Sequence, residues 1–338
     1  MKKIYVLVDN DQYFAHHVAF DTIDINVIID YFKEREVTLE VLPLKELSLK
    51  IDIKDSIIFT LSSQKPYHKQ YIDDIVEVLS LNNNILIPSK NILRCHENKG
   101  YQEYYKKIVG IDSLNGYYFN NDTVDYKYIN KTYSFPLVLK QIDGSGSRGV
   151  RLIKSEKELK KEVNSFKVST HVRFMIYCRE NIFRFLKLKF SEKKLNYYKD
   201  HSSFIIQEFV PNLRFDYKVL IFFDKYYVLK RNINENDFRA SGSGNFEFVD
   251  IEDSLLEYSK DIFEKLNEPF MSLDVCFDGD KYYLIEYQGI HFGPYTQIYS
   301  KGFYQKKYDK WSYIKEKVSL EEDIAYSLFS YLDMIGCI

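Results

Sequence analysis

Residues 271–289 read MSLDVCFDGDKYYLIEYQG, two apolar runs on either side of Asp278-Gly279-Asp280. Aromatic and β-branched residues broken by a strong turn sequence predict a hairpin of strands 270–277 and 281–287. A period of two puts Glu286 and Gln288 on one face, and the hairpin can bring Asp274 opposite them. Carboxylates embedded in apolar runs need partners, because burying a bare charge is expensive. A hard divalent cation with phosphate oxygens would satisfy them, and a Lys or Arg partner is the competing explanation.

Three upstream blocks carry further chemistry. In FPLVLKQIDGSGSRGV (135–150), Lys140 ends a strand, and a turn holding Gly144, Ser145, Gly146, Ser147 and Gly149 leads to a second strand at 150–153. Glycines let main-chain N–H groups approach phosphate oxygens, serines add donors and the lysine supplies a point charge. A flexible hairpin explains that block equally well. IIQEFV (205–210) is an apolar strand interrupted by Gln207 and Glu208, with Phe209 and Val210 following. In a nucleotide cleft such a segment can offer backbone groups to an adenine edge. In LRFDYKVLIF, YYVLKR and NDFRASGSG, the charged residues Asp216, Lys218, Lys230, Arg231 and Arg239 precede a Ser-Gly turn at 241–244. The cations converge if their strands are neighbours, whereas solvated charges on an exposed sheet face are the plainer reading of each.

The N-terminal part has a different rhythm. Strands at 3–8, 37–44, 56–61 and 84–88 alternate with helices at 22–35 and 69–81, which predicts an open α/β domain with a ligand-facing loop at 9–13. The polar segment 120–131 lacks apolar periodicity and is the expected boundary, giving domains 1–120, 121–210 and 211–338. A helix at 155–166 has Ser155 as N-cap, 171–199 reads weakly as helix, and 319–331 is amphipathic with Ser319 and Glu322 in capping-box register.

Composition excludes several classes. The 47 Lys and Arg balance 49 Asp and Glu, so no electrostatic footprint for nucleic acid or an anionic membrane appears. Each apolar run is far shorter than the roughly 20 residues of a membrane span, and the run before Asp9 is too short for a signal peptide. The four cysteines are scattered without metal spacing and read as reduced thiols. A soluble, cytoplasmic protein is expected, with self-association left open.

In their order, the four blocks resemble the ATP-grasp superfamily over residues 131–294. The resemblance implies an α/β N-terminal domain followed by an α+β ATP-grasp fold, whose two subdomains clasp the nucleotide. It implies ATP and Mg2+ as cofactors. Lys140 matches the phosphate lysine, and Ser145, Gly146, Ser147 and Gly149 lie in the glycine-rich loop. Gln207, Glu208, Phe209 and Val210 match the adenine hinge. Asp216 stands at the ribose or substrate position with Lys218 beside it, and Lys99 resembles a further lysine that reaches the nucleotide. Asp274, Glu286 and Gln288 match the magnesium ligands, although Gln288 stands where Asn is usual. NDFRASGSG looks most like the glutamate ligases that tail a ribosomal protein. Because Ser272 replaces the arginine of the D-alanine ligase branch, Arg231 and Arg239 are the expected catalytic charges. The implied reaction joins a carboxylate to an amine through an acyl phosphate, with an amino acid or amine and a sugar carboxylate or peptide as substrates. A kinase that stops at phosphorylation and a non-catalytic nucleotide-binding module are the alternatives. His291, in QGIHFGPYT, is a candidate acceptor contact or a structural histidine.

Overall fold

A computed structural model describes residues 2–9, 23–47, 49, 51–142, 149–165, 170–186, 202–235 and 237–338. Contacts divide the chain into two compact units, one of Met1–Leu114 with Val210–Ile338 and one of Asn115–Phe209. The first therefore joins segments expected as separate domains, because the apolar faces of its two ends share one core.

That unit opens with β1 (Ile4–Val8), α1 (Ile25–Lys33), β2 (Leu39–Pro43), α2 (Leu44–Leu47) and β3 (Ile57–Phe59). α3 (Pro66–Leu81), β4 (Ile85–Ile87), α4 (Lys90–Cys95) and α5 (Lys99–Ile108) follow. Strand–helix alternation gives a parallel sheet in the order β2-β1-β3-β4. The ligand-facing loop expected at 9–13 lies, beyond Asp9, outside the described residues.

The second unit holds β5 (Gly116–Asn120), α6 (Tyr126–Thr132), β6 (Leu137–Gln141), β7 (Val150–Ile153), α7 (Glu156–Ser165), α8 (Thr170–Phe185) and β8 (Ser203–Glu208). Its antiparallel sheet runs β5-β8-β6-β7 over a core that includes Phe119, Leu137, Leu139, Leu159 and Phe204. The segment 120–131, expected as a linker, contains most of α6. Asp125 caps that helix through the Lys127 and Tyr128 amides, and Ile129 is its buried residue. One anchor leaves no periodicity to read. Ser155 Oγ accepts from the Glu158 amide at 3.3 Å at the start of α7. Residues 187–199 lie outside the described residues.

The first unit resumes with β9 (Phe215–Phe222), β10 (Lys225–Asn232), β11 (Phe246–Glu247), α9 (Asp253–Leu266), β12 (Phe270–Phe277) and β13 (Tyr282–Gln288). α10 (Tyr295–Tyr299), β14 (Phe303–Lys307), β15 (Lys310–Ile314) and α11 (Leu320–Met334) complete it. The sheet order is β13-β12-β9-β10-β14-β15, with β11 paired to β10. Both faces are buried over the second half of β9, which is why it reads as the unbroken run VLIF. Leu220, Phe222 and Phe270 pack with Ile4, Phe32, Ile324 and Leu328, whereas Val219, Ile221, Leu273 and Val275 pack with Leu255 and Ile262.

α11 begins with the expected Ser319–Glu322 capping box. It is tied down by Asp323, fully buried, which accepts from Lys225 Nζ at 2.9 Å, Tyr227 Oη at 2.6 Å and Gln297 Nε2 at 2.8 Å. Among the described residues no helix is long and apolar enough to cross a membrane.

Candidate functional site

β-ladder register assembles a row of charges on the sheet of the first unit. Arg231 lies opposite Asp216, Lys218 opposite Asp274, and Asp274 opposite Glu286. Asp216 and Lys218 are two apart on β9 and share a face, so five charged side chains from four adjacent strands meet there. Lys99, the first residue of α5, adds a sixth, its Nζ 3.5 Å from Glu286 Oε1. Three carboxylates face three cations, and the row is balanced within itself.

The pairings are unequal. Arg231 Nε and Nη2 donate to Asp216 Oδ1 and Oδ2 at 2.7 and 2.8 Å. Nη2 also lies 3.0 Å from Asp274 Oδ2. Lys218 Nζ stands 3.7 Å from Asp274 Oδ1, beyond hydrogen-bond reach, and that oxygen is buried with no hydrogen-bond partner. Burial opposes ionisation of Asp274, but Arg231 and Lys218 outweigh it and hold the carboxyl below its usual range. Burial pushes the Asp216 carboxyl up, against the pull of Arg231. It likewise pushes the Lys218 ammonium down, with Asp274 resisting. Burial also disfavours the Arg231 charge, yet Asp274 and Asp216 prevail and raise its pKa.

Asp216, 3% exposed, accepts from Arg231 through both oxygens. Arg231, committed to two carboxylates, orients Asp274 where a free charge facing phosphate was expected. Arg239 stands in a loop and pairs with Asp237, two residues away, at 2.9 Å through both Nε and Nη2.

Asp274 Oδ1, without a hydrogen bond and beside Glu286, suits a hard cation that accepts carboxylate ligands. Gln288 lies two residues along the register, opposite Ser272. Among the described residues no group of three or more His, Cys, Asp or Glu side chains is placed to hold a metal, so any ion there needs oxygens from elsewhere.

In the second unit Lys140, 8% exposed, donates from Nζ to Gln207 Oε1 at 2.5 Å, across the antiparallel pairing of β6 with β8. Gln207 Nε2 is buried with no partner. Glu208 accepts from the backbone and side chain of Asn115 at 3.1 and 2.9 Å, and Phe209 and Val210 follow the end of β8. Gly149 has φ +78°, a backbone conformation strained for any residue with a side chain, and a Cβ there would meet the Gln141 side chain. Ser145, Gly146 and Ser147 lie outside the described residues.

His96 was not legible in the sequence. Its ring stacks on His291, with centroids 5.0 Å apart and planes at 17°. His291 has φ +52°, and its Nε2 lies 2.9 Å from the Ser62 carbonyl oxygen. Nothing in RCHENK signals a partner so distant in sequence.

No protein-family model and no curated protein matches the chain. Solved structures do. The D-cycloserine synthetase DcsG aligns over 97% of this chain and 99% of its own, at 10% identity and a TM-score of 0.56. The ATP-grasp ligase PsnB, complexed with minimal precursor, Mg and ADP, covers 98% of both chains at 9% identity and a TM-score of 0.52. The macrocyclase MdnC, bound with precursor peptide MdnA from Microcystis aeruginosa MRC, covers 97% of this chain and 99% of that one, at 8% identity and a TM-score of 0.51.

Proposed function

We propose that this chain, which has the ATP-grasp fold, is an ATP- and magnesium-dependent ligase of the cytoplasm that joins a carboxylate to an amine. The observation that carries the reading is Asp274 Oδ1 beside Glu286, buried and without a hydrogen bond, with the Lys218 ammonium at 3.7 Å, inside a row whose own charges already balance. A carboxylate oxygen that makes no hydrogen bond in such a place suits an incoming cation that brings its own anion, as a magnesium–nucleotide complex does.

Asp274, Glu286 and Gln288 would hold the magnesium, which when bound offsets phosphate charge. Lys140 is assigned to phosphate oxygens as a point charge, with Gln207 fixing the direction of its ammonium. Gln207 to Val210 are assigned to the base. Lys218 and Arg231 position Asp274, and Lys99 positions Glu286.

The reaction has two steps. A substrate carboxylate oxygen attacks the γ-phosphorus of ATP, the bond to the bridging oxygen breaks, and ADP leaves. An amine nitrogen then attacks the acyl carbon, the C–O bond to phosphate breaks, inorganic phosphate leaves and the nitrogen releases one proton. Positioning and charge neutralisation carry both steps.

The test is incubation with magnesium, ATP and paired amino acids, dipeptides and uronic acids, recording phosphate release and product mass. A product lighter by one water than its two precursors, formed with ADP, supports the ligase. A product that only gains a phosphate group, or ATP binding without turnover across the panel, overturns it.

A further inference from the structure

A cluster at the carboxyl end of β3 stands apart from the carboxylate row. In the sheet order β2-β1-β3-β4, β1 and β3 flank the point where the chain reverses direction across the sheet, the usual crevice for a ligand in open α/β sheets. Ser62 and Ser63 follow β3 there, and their carbonyls hold two imidazoles. His291 Nε2 is 2.9 Å from the Ser62 oxygen, and His96 hydrogen-bonds the Ser63 carbonyl. A carbonyl only accepts, so each ring carries its proton on the nitrogen that faces it.

For His96 that fixes the tautomer. Its Nε2 is buried and without a partner, so the bond to Ser63 runs through Nδ1–H, and Nε2 presents a bare lone pair. Ser62 Oγ is a second buried polar atom with no partner. His96 is 7% exposed and Ser62 5%. Burial first, then His291 and Lys69, push the His96 imidazole down to about 3, so the ring is neutral. Buried orphaned acceptors are uncommon and call for an occupant.

The chemistry narrows that occupant to an uncharged hydrogen-bond donor. A carboxylate would set lone pair against lone pair at Nε2. An ammonium would face the Lys69 and Lys99 charges that already act on His96. An uncharged amine offers two N–H donors and keeps its own lone pair for attack. α5, which begins just beyond His96, brings Lys99 to Glu286, and His291 lies just beyond β13, which carries Glu286. The cluster and the carboxylate row therefore share two stretches of chain.

We propose that His96 Nε2 and Ser62 Oγ accept the two N–H groups of the incoming amine and form the acceptor site of the ligase, a reading that rests on the ligase assignment. The test uses side-chain 15N-histidine spectra with glycinamide as probe, at mildly alkaline pH where its amine is largely uncharged, and glycolamide as the control that lacks the amine. Glycinamide is expected to shift the unprotonated Nε2 resonance of His96 saturably, and glycolamide to leave it in place. His96→Asn keeps a donor for the Ser63 carbonyl but deletes the Nε2 lone pair, and is expected to weaken glycinamide binding at least tenfold with unchanged thermal stability.

An Nε2 resonance that does not respond, an equal response to glycolamide, or full glycinamide binding by His96→Asn overturns the proposal and leaves a buried water as the occupant. Trapping the acyl phosphate with hydroxylamine, across the same carboxylate panel, reports separately on the ligase. Hydroxamate without a glycinamide shift sinks the amine site alone. A glycinamide shift without hydroxamate sinks the ligase reading and its acceptor role, leaving only an amine pocket.

Discussion

Arg231 bridges a buried and a half-buried carboxylate with one guanidinium, its Nε 2.7 Å from Asp216 Oδ1 and its Nη2 3.0 Å from Asp274 Oδ2. Removing the bridge would leave two carboxylates side by side with only the Lys218 ammonium near them. Arg231→Met should therefore lower unfolding free energy by about 3–5 kcal/mol, read from urea midpoints at constant slope. Arg231→Lys should recover only part, because an ammonium cannot span both carboxylates in a fixed fork. A loss below about 1 kcal/mol for the methionine variant, the range of exposed pairs, would show that the bridge is solvated.

Asp274→Asn separates metal holding from architecture. Arg231 keeps both bonds to Asp216, so the fold should persist with a melting temperature within a few degrees of wild type. ATP turnover should fall at least ~100-fold, since one carboxylate charge at the cation is lost. Glu286→Gln should behave alike. Near-normal turnover in both, with the same magnesium dependence, would remove these residues from the metal site.

Lys140 should govern nucleotide affinity. Hydrogen bonds to charged groups contribute about 1.5–3 kcal/mol, so Lys140→Met should weaken ATP binding by roughly 10–100-fold. Calorimetric titration in magnesium reads this directly. Unchanged affinity would place the phosphates elsewhere.

Glu268, 3% exposed, takes the Ser89 amide at 3.1 Å to each oxygen, and burial raises its carboxyl from 4.5 to about 8. Between those values the folded chain holds a proton that the unfolded chain has released. Its stabilising contribution is complete below about pH 4.5 and is lost as pH rises to about 8. Relative to wild type, Glu268→Gln should gain stability steadily from pH 5 to 8, in urea unfolding at a series of pH values. Parallel pH profiles for the two proteins would show that Glu268 is ionised throughout.

The hairpin around Asp278-Gly279-Asp280 was legible because turn residues and a period of two are local signals, and they placed Asp274 opposite Glu286. Lys140 at a strand end was legible for the same reason. The partner of Arg231 was not. Nothing within LRFDYKVLIF or YYVLKR tells whether a cation serves a phosphate or a neighbouring carboxylate, and only the ladder register of β9, β10 and β12 decides it. β14 and β15 escaped notice because Lys306, Lys307 and Lys310 break their apolar pattern. The joining of the N-terminal sheet to α11 rests on contacts between residues at opposite ends of the sequence, which periodicity cannot report.

That shared core has a consequence for synthesis. Ile4 and Phe32 share a core with Leu220, Phe222, Ile324 and Leu328, so the apolar face made first is not fully covered until the last helix emerges. At ribosomal speed that delay is on the order of tens of seconds. Asn115–Phe209 keeps its core within one continuous stretch and can close as soon as it leaves the exit tunnel. The nascent chain thus matures from the middle outward, and its opening strands are the part that most needs a chaperone's shelter.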